Sequence, residues 1–248
     1  MTTQPDPQAA VAAALHELRK LGKPATLAGM ARYAIPSEHA FGVSVGEVQK
    51  LAKQLGRNHD LALALWASGW YEARLLACYV DDPARVSAKQ MDQWCAEFDN
   101  WAVCDTVCFA LFDRTPHAWT KVAQWHRSKH EFVKRAAFAL LWGLTVHDKA
   151  AADSSFERGL EMIEAAADDD RNFVKKAVNM ALRAIGKRNA ALHGKALAGA
   201  ARLAEAPQPS ARWIGKDAAR ELVSPSVAKR LAPKPLKPQK PRKPKETA

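Results

Sequence analysis

Apolar residues recur at three- and four-residue spacing through nearly all of residues 1–224, and no stretch alternates with period two for long. That pattern predicts an all-α protein. The expected helices run approximately over Gln8–Leu21, Pro24–Ala34, Val45–Gly56, Asp60–Ser68, Trp70–Val80, Ser87–Phe98, Trp101–Phe112, Pro116–Arg127, Glu131–Val146, Ser154–Ala167, Arg171–Gly186, Ala190–Leu203 and Ala211–Leu222. Their connections are short, so sequential helices should pack as antiparallel neighbours.

A weak internal similarity adds an architecture to the helices. Glu131-Phe132-Val133-Lys134-Arg135-Ala136-Ala137 resembles Asn172-Phe173-Val174-Lys175-Lys176-Ala177-Val178 and Ala211-Arg212-Trp213-Ile214-Gly215-Lys216-Asp217-Ala218, each with an apolar pair, then basic residues, then alanine. Trp70-Tyr71-Glu72-Ala73-Arg74 has a related form. The steps from Arg74 to Asp105, Arg135, Lys176 and Lys216 are about 30 to 41 residues, the period of stacked helical pairs. A pair cannot bury its own apolar face, so the pairs should stack into a curved α-solenoid whose second helices line the inner wall. These five charged residues would then occupy successive rungs, unless they are unrelated solvated charges.

With 248 residues, 48% of them hydrophobic and 25% charged, the chain can bury a substantial core. No apolar run is long enough to cross a membrane, and the N-terminus lacks the blocks of a secretory signal, so a cytoplasmic protein without membrane partners is expected. Cys78, Cys95, Cys104 and Cys108 form no CxxC pair and suit buried reduced thiols. Cys104 and Cys108 with His126 and His130 repeat at helix-turn spacing, an alternative zinc set that lacks the usual tight turn. Otherwise nothing calls for a metal or cofactor.

The formal charge is +11, and the segment from Lys229 onward carries +7 of it. Such an excess favours polyanions, nucleic acid first among them. The domain division expected is a disordered N-terminus over 1–7, a helical solenoid over 8–224 and a disordered Lys/Pro tail over 225–248, where proline and like charge oppose any packed element. The tail either raises nonspecific affinity for nucleic acid or serves only solubility.

The most informative stretch is Asp99-Asn100-Trp101-Ala102-Val103-Cys104-Asp105. Trp101 and Asp105 are four apart on a predicted helix and share one patch of surface. A carboxylate in apolar surroundings is costly unless a cation meets it, which makes Asp105 a candidate for chemistry.

Four segments in this order, Met30-Ala31-Arg32-Tyr33 with Phe41-Gly42-Val43, Asp99-Asn100-Trp101 with Asp105, Phe132-Val133-Lys134-Arg135, and Phe173-Val174-Lys175-Lys176-Ala177, resemble the AlkD-type DNA alkylation repair proteins over most of residues 20–222. The resemblance implies a right-handed α-solenoid of HEAT-like repeats with a concave basic surface. It also implies a monomeric DNA N-glycosylase that releases 3-alkyladenine or 7-alkylguanine from double-stranded DNA. Asp105 matches the catalytic carboxylate. Trp101 would stand beside it as an aromatic wall, its alternative being a core tryptophan, and Tyr33 would line the same cleft or simply close a helix. Arg135 matches a DNA-backbone arginine, and Lys134, Lys175, Lys176, Arg183, Lys187, Arg188 and Lys216 would extend the positive track. Where the family pattern has a second cleft tryptophan, this chain has Met180, which lacks the broad negative face of an indole. That departure keeps two other functions open: a noncatalytic module binding damaged or branched DNA, and a protein-interaction scaffold.

Overall fold

The computed structural model describes residues 7–232. Among them are fourteen α-helices: α1 (Pro7–Leu21), α2 (Pro24–Met30), α3 (Val45–Leu55), α4 (His59–Ala67), α5 (Tyr71–Val80), α6 (Ala88–Ala96), α7 (Trp101–Ala110), α8 (Ala118–Trp125), α9 (Glu131–His147), α10 (Asp153–Ala165), α11 (Asn172–Gly186), α12 (Ala190–Ala204), α13 (Pro209–Leu222) and α14 (Pro225–Leu231). Single 3₁₀ turns lie at Ala31–Tyr33 and Phe112–Arg114, and no strand occurs among the described residues.

The helices form an α-solenoid. Helices α5, α7, α9, α11 and α13 pack side by side in succession, while α4, α8, α10 and α12 each pack on an inner neighbour. Helix α9 sits at the centre, against α7, α8 and α11, with α6 and α10 also touching it. Its run Arg135–Leu141 is buried on every side, as expected of a helix with neighbours all round. Fully buried side chains such as Leu75, Leu76, Phe112, Phe138, Leu140 and Phe156 tie the layers together, each contributing about 1.5–3 kcal/mol by leaving water.

Local rules fix where α7 and four of the other helices begin. The Asn100 side chain accepts a hydrogen bond from Val103 N at 2.9 Å, capping α7 so that Trp101 opens its first turn and Asp105 falls one turn on. Ser44, Asn58, Ser87 and Asn189 cap α3, α4, α6 and α12 in the same way.

The segment that leads from the first 3₁₀ turn to α3 is pinned by a buried carboxylate. Glu72 accepts the backbone N–H groups of Phe41, Gly42 and Val43 at 2.8, 2.7 and 3.0 Å, which repays its desolvation with charge-assisted bonds. Gly42 has φ +80°, and a Cβ there would lie 2.6 Å from the Lys23 carbonyl oxygen, so only glycine fits. Phe41 stacks on Trp70 with ring centroids 4.2 Å apart.

Four expectations shift at element ends. The helix expected over Pro24–Ala34 ends at Met30 and passes into a 3₁₀ turn, because Ala34 adopts a left-handed φ of 53°. The one expected over Trp101–Phe112 stops at Ala110, where Leu111 leaves helical geometry at φ −131°. The helical body also runs past the expected boundary at residue 224: Pro225 starts α14, and Val227 is buried. At the other end, Pro7 already belongs to α1. The expected tail over 233–248, like residues 1–6, lies outside the described residues.

Candidate DNA-binding cleft

The inner ends of α7, α9, α11 and α13, with the 3₁₀ turn at Ala31–Tyr33, enclose a cleft of about 620 Å³. Tyr33, Trp101, Asp105, Arg135, Lys176 and Met180 all line it, so the structure brings together residues that the sequence spreads over more than 140 positions.

Asp105 is at the bottom of this cleft, with its side chain 14% exposed. Arg135, from the same depth of α9, donates Nε–H to Asp105 Oδ1 at 2.9 Å and an Nη2 hydrogen to Oδ2 at 2.6 Å. Its Nη1 donates to the Phe173 carbonyl at 2.7 Å, which ties the fork to the first turn of α11. The pair is therefore a bidentate ion pair reaching across three helices. Burial pushes the Asp105 carboxyl above the ordinary carboxylate value, against the pull of Arg135. The guanidinium is only 6% exposed, and its charge is stabilised by the same carboxylate.

Trp101 donates its indole N–H to the Tyr33 carbonyl at 2.7 Å, and the Arg135 guanidinium lies 6.0 Å from its ring centroid. The indole is thus fixed at both its polar and its aromatic end. Tyr33 serves this contact through its backbone, and its side chain is 65% exposed at the mouth of the cleft. Met180 lines the opposite side from α11.

A family model of DNA alkylation repair enzymes matches residues 14–222. The chain belongs to that family. An uncharacterized protein of Listeria innocua serovar 6a is 21% identical over 159 residues, which cover 62% of this chain and 70% of that protein. A solved structure described as "a new family of proteins related to the HEAT-like repeat DNA glycosylases with affinity for branched DNA structures" superimposes with a TM-score of 0.71 at 24% identity, covering 85% of this chain and 94% of that one. The shared fold is the HEAT-like solenoid.

Within this DNA alkylation repair fold, half of the expected basic track proves self-neutralised. Arg135 is spent on Asp105 and Phe173 instead of facing outward as a phosphate ligand. Lys134 pairs with Asp169 at 2.9 Å, and Arg183 and Lys187 both pair with Glu221. Arg188 donates to the carbonyls of Thr145, Asp148 and Ala151 at the end of α9 and covers the Phe156 ring at 4.2 Å, a helix-capping role. Arg74, on the first rung, is drawn to Glu97 and the Trp66 face. Lys175 lies over the Trp213 ring, while Lys176 and Lys216 are exposed without an acidic partner. The unspent positive charge of the track is thus concentrated at α11 and α13.

Several cleft residues were not assigned to the site from the sequence. Arg32, Asn172, Phe173, Asn179, Trp213 and Asp217 line the same space. Asn179, 2% exposed, donates to Asp217 Oδ2 at 2.7 Å and joins α11 to α13. The repeat register contained a signal for Trp213, since it occupies the place of Phe132 and Phe173 in the third copy of the motif.

The alternative zinc set does not assemble. Cys104 and Cys108 direct their thiols to the Phe132 and Ala136 carbonyls of α9, and no group of three or more metal-ligating side chains is arranged to hold an ion among the described residues. Burial raises the Cys95 and Cys108 thiols, which keeps them protonated. Among the described residues no helix is long and apolar enough to cross a membrane.

Proposed function

We propose that this protein is a monomeric DNA glycosylase-like enzyme that hydrolyses the N-glycosidic bond of cationic alkylated purines, 3-alkyladenine or 7-alkylguanine, in duplex DNA. The observation that carries the reading is the Asp105 carboxylate, open to a cleft, one helical turn from a fixed indole and locked in place by a two-pronged arginine.

The chemistry requires little more. A base alkylated at N3 or N7 is already positive and departs neutral, so no general acid is needed. The sugar left behind gains oxocarbenium character as the bond breaks. An anion held about 4 Å away, at an effective dielectric near 20, favours that cation by roughly 4 kcal/mol, on the order of a thousandfold in rate. The Arg135 fork occupies one acceptor site on each Asp105 oxygen, and an ionised carboxylate has about four, so acceptor capacity remains for the attacking water. The Trp101 face attracts the cationic base at one side of the sugar, by about 0.5–2 kcal/mol.

Release of 7-methylguanine and 3-methyladenine from methylated duplex DNA tests the proposal. Asp105→Asn should lower the excision rate on the order of a thousandfold while leaving duplex affinity intact. Equal release by wild type and variant would overturn the role of Asp105.

A second reading, a DNA-binding module without catalysis, draws support from three observations. Asp105 already has a cationic partner, and Met180 stands where an indole is expected. The structural relative at 24% identity is described by its affinity for branched DNA. Salt-dependent DNA binding with no base release from either methylated purine would favour this module.

A further inference from the structure

Trp213 is unlike the other tryptophans of the chain. Trp66, Trp94 and Trp125 are buried, Trp70 stacks on Phe41, Trp142 stacks on Phe109, and Trp101 and Trp119 donate their indole N–H groups to Tyr33 and Asp148. Trp213 is 41% exposed on α13, faces the cleft, and has no hydrogen-bond partner for its N–H. An indole left this open loses the burial that normally justifies it, unless something stacks on it.

Its surroundings say what that would be. The Lys175 ammonium lies 5.2 Å from the ring centroid, so one face carries a cation. Lys176 lines the same cleft, and Lys216 is one helical turn beyond Trp213 on the same exposed side of α13. An aromatic platform ringed by unpaired lysines is suited to a nucleotide, with the base on the ring and its phosphate on the ammonium groups. The bases of an intact duplex are already stacked on one another, so only an unpaired base offers a free face. The neighbouring Lys175 charge has no acidic partner among the described residues and disfavours a cationic base here, whereas the Arg135 charge near Trp101 is balanced by Asp105, so the platform takes ordinary neutral bases.

We propose that Trp213, backed by Lys175 and flanked by Lys176 and Lys216, is a stacking site for an unpaired nucleobase that gives this chain a preference for DNA carrying such a base over fully paired duplex. The inference rests on reading the cleft as a DNA site, and it adds a second contact several helices away from the lesion-facing carboxylate.

The test compares binding to a short unmodified duplex with binding to the same duplex carrying one bulged nucleotide, by fluorescence anisotropy. Wild type should favour the bulged duplex by about 5- to 100-fold. Trp213→Ala should weaken binding of the bulged duplex more than that of the paired duplex and so erase the preference, and Trp213→Phe should restore most of it. Equal binding of the two DNAs by wild type, or an undiminished preference in Trp213→Ala, would overturn the platform. Excision by wild type measured on methylated duplex separates the two ideas: normal release with no bulge preference sinks only the platform, whereas absence of all DNA binding sinks both.

Discussion

In the proposed reaction Asp105 acts only as an anion, and two opposing forces set how easily it is one. Burial favours the protonated acid, and the Arg135 fork favours the carboxylate, with burial ahead. Excision should therefore fall as pH drops, along an acid limb that lies above the ordinary carboxylate range. Arg135→Gln removes the opposing pull, so its limb should move to still higher pH in a single-turnover pH–rate profile. Breaking a buried pair of this kind also costs about 3–5 kcal/mol, which a lowered melting temperature would register. An unmoved limb would show that Arg135 does not govern the carboxylate. The residue scale is also where sequence reasoning met its limit. Trp101 and Asp105 stand out because they are one turn apart on one helix, but the partner of Asp105 is 30 residues away. A basic residue beside a polyanion site looks like a phosphate ligand in one dimension, and only the third dimension reveals that its donors are already engaged.

At the scale of elements, neighbouring helices are joined by charged ties whose partners are far apart in sequence. Asp169 receives Arg171 and also Lys134 of α9, and its carboxyl is held down to about 2, chiefly by the hydrogen bonds from Arg171 with those of Lys134 adding to them. A depressed carboxyl favours folding once it ionises. Its contribution is complete above about pH 4 and disappears as pH falls toward 2. Asp169→Asn should melt lower at neutral pH and lose less stability than wild type across that acid window, as followed by circular dichroism. Parallel melting curves would count against the tie. The helices themselves are legible because a 3.6-residue period survives wherever a face is buried, and every expected helix has a counterpart. Helix α14 was hidden by composition: its Pro, Lys and Arg resemble the tail that follows, and one buried side chain, Val227, is too little pattern to detect.

For the molecule as a whole, net charge is a poor map of where a polyanion would sit. Half of the basic side chains expected on the track, Lys134, Arg135, Arg183 and Lys187, are paired with acids 30 to 38 residues distant, and the exposed lysines left open gather at α11 and α13. Lys176→Ala and Lys216→Ala should each reduce the slope of log affinity against log salt by about 0.9 on duplex DNA, whereas Lys134→Ala should leave it nearly unchanged. A slope change in Lys134→Ala equal to the others would place the duplex further toward α9 than the charge balance indicates.

The carboxylate and its clamp belong to adjacent helical pairs, α7 and α9, and the clamp is braced by the next, α11. Repeat arrays commonly evolve by duplicating or losing whole units, and this geometry restricts where that can happen. An extra unit at either end leaves the trio side by side, while one inserted between residues 110 and 131 would strand the acid from its counter-charge. The lineage is free to lengthen outward from a middle it has no freedom to interrupt.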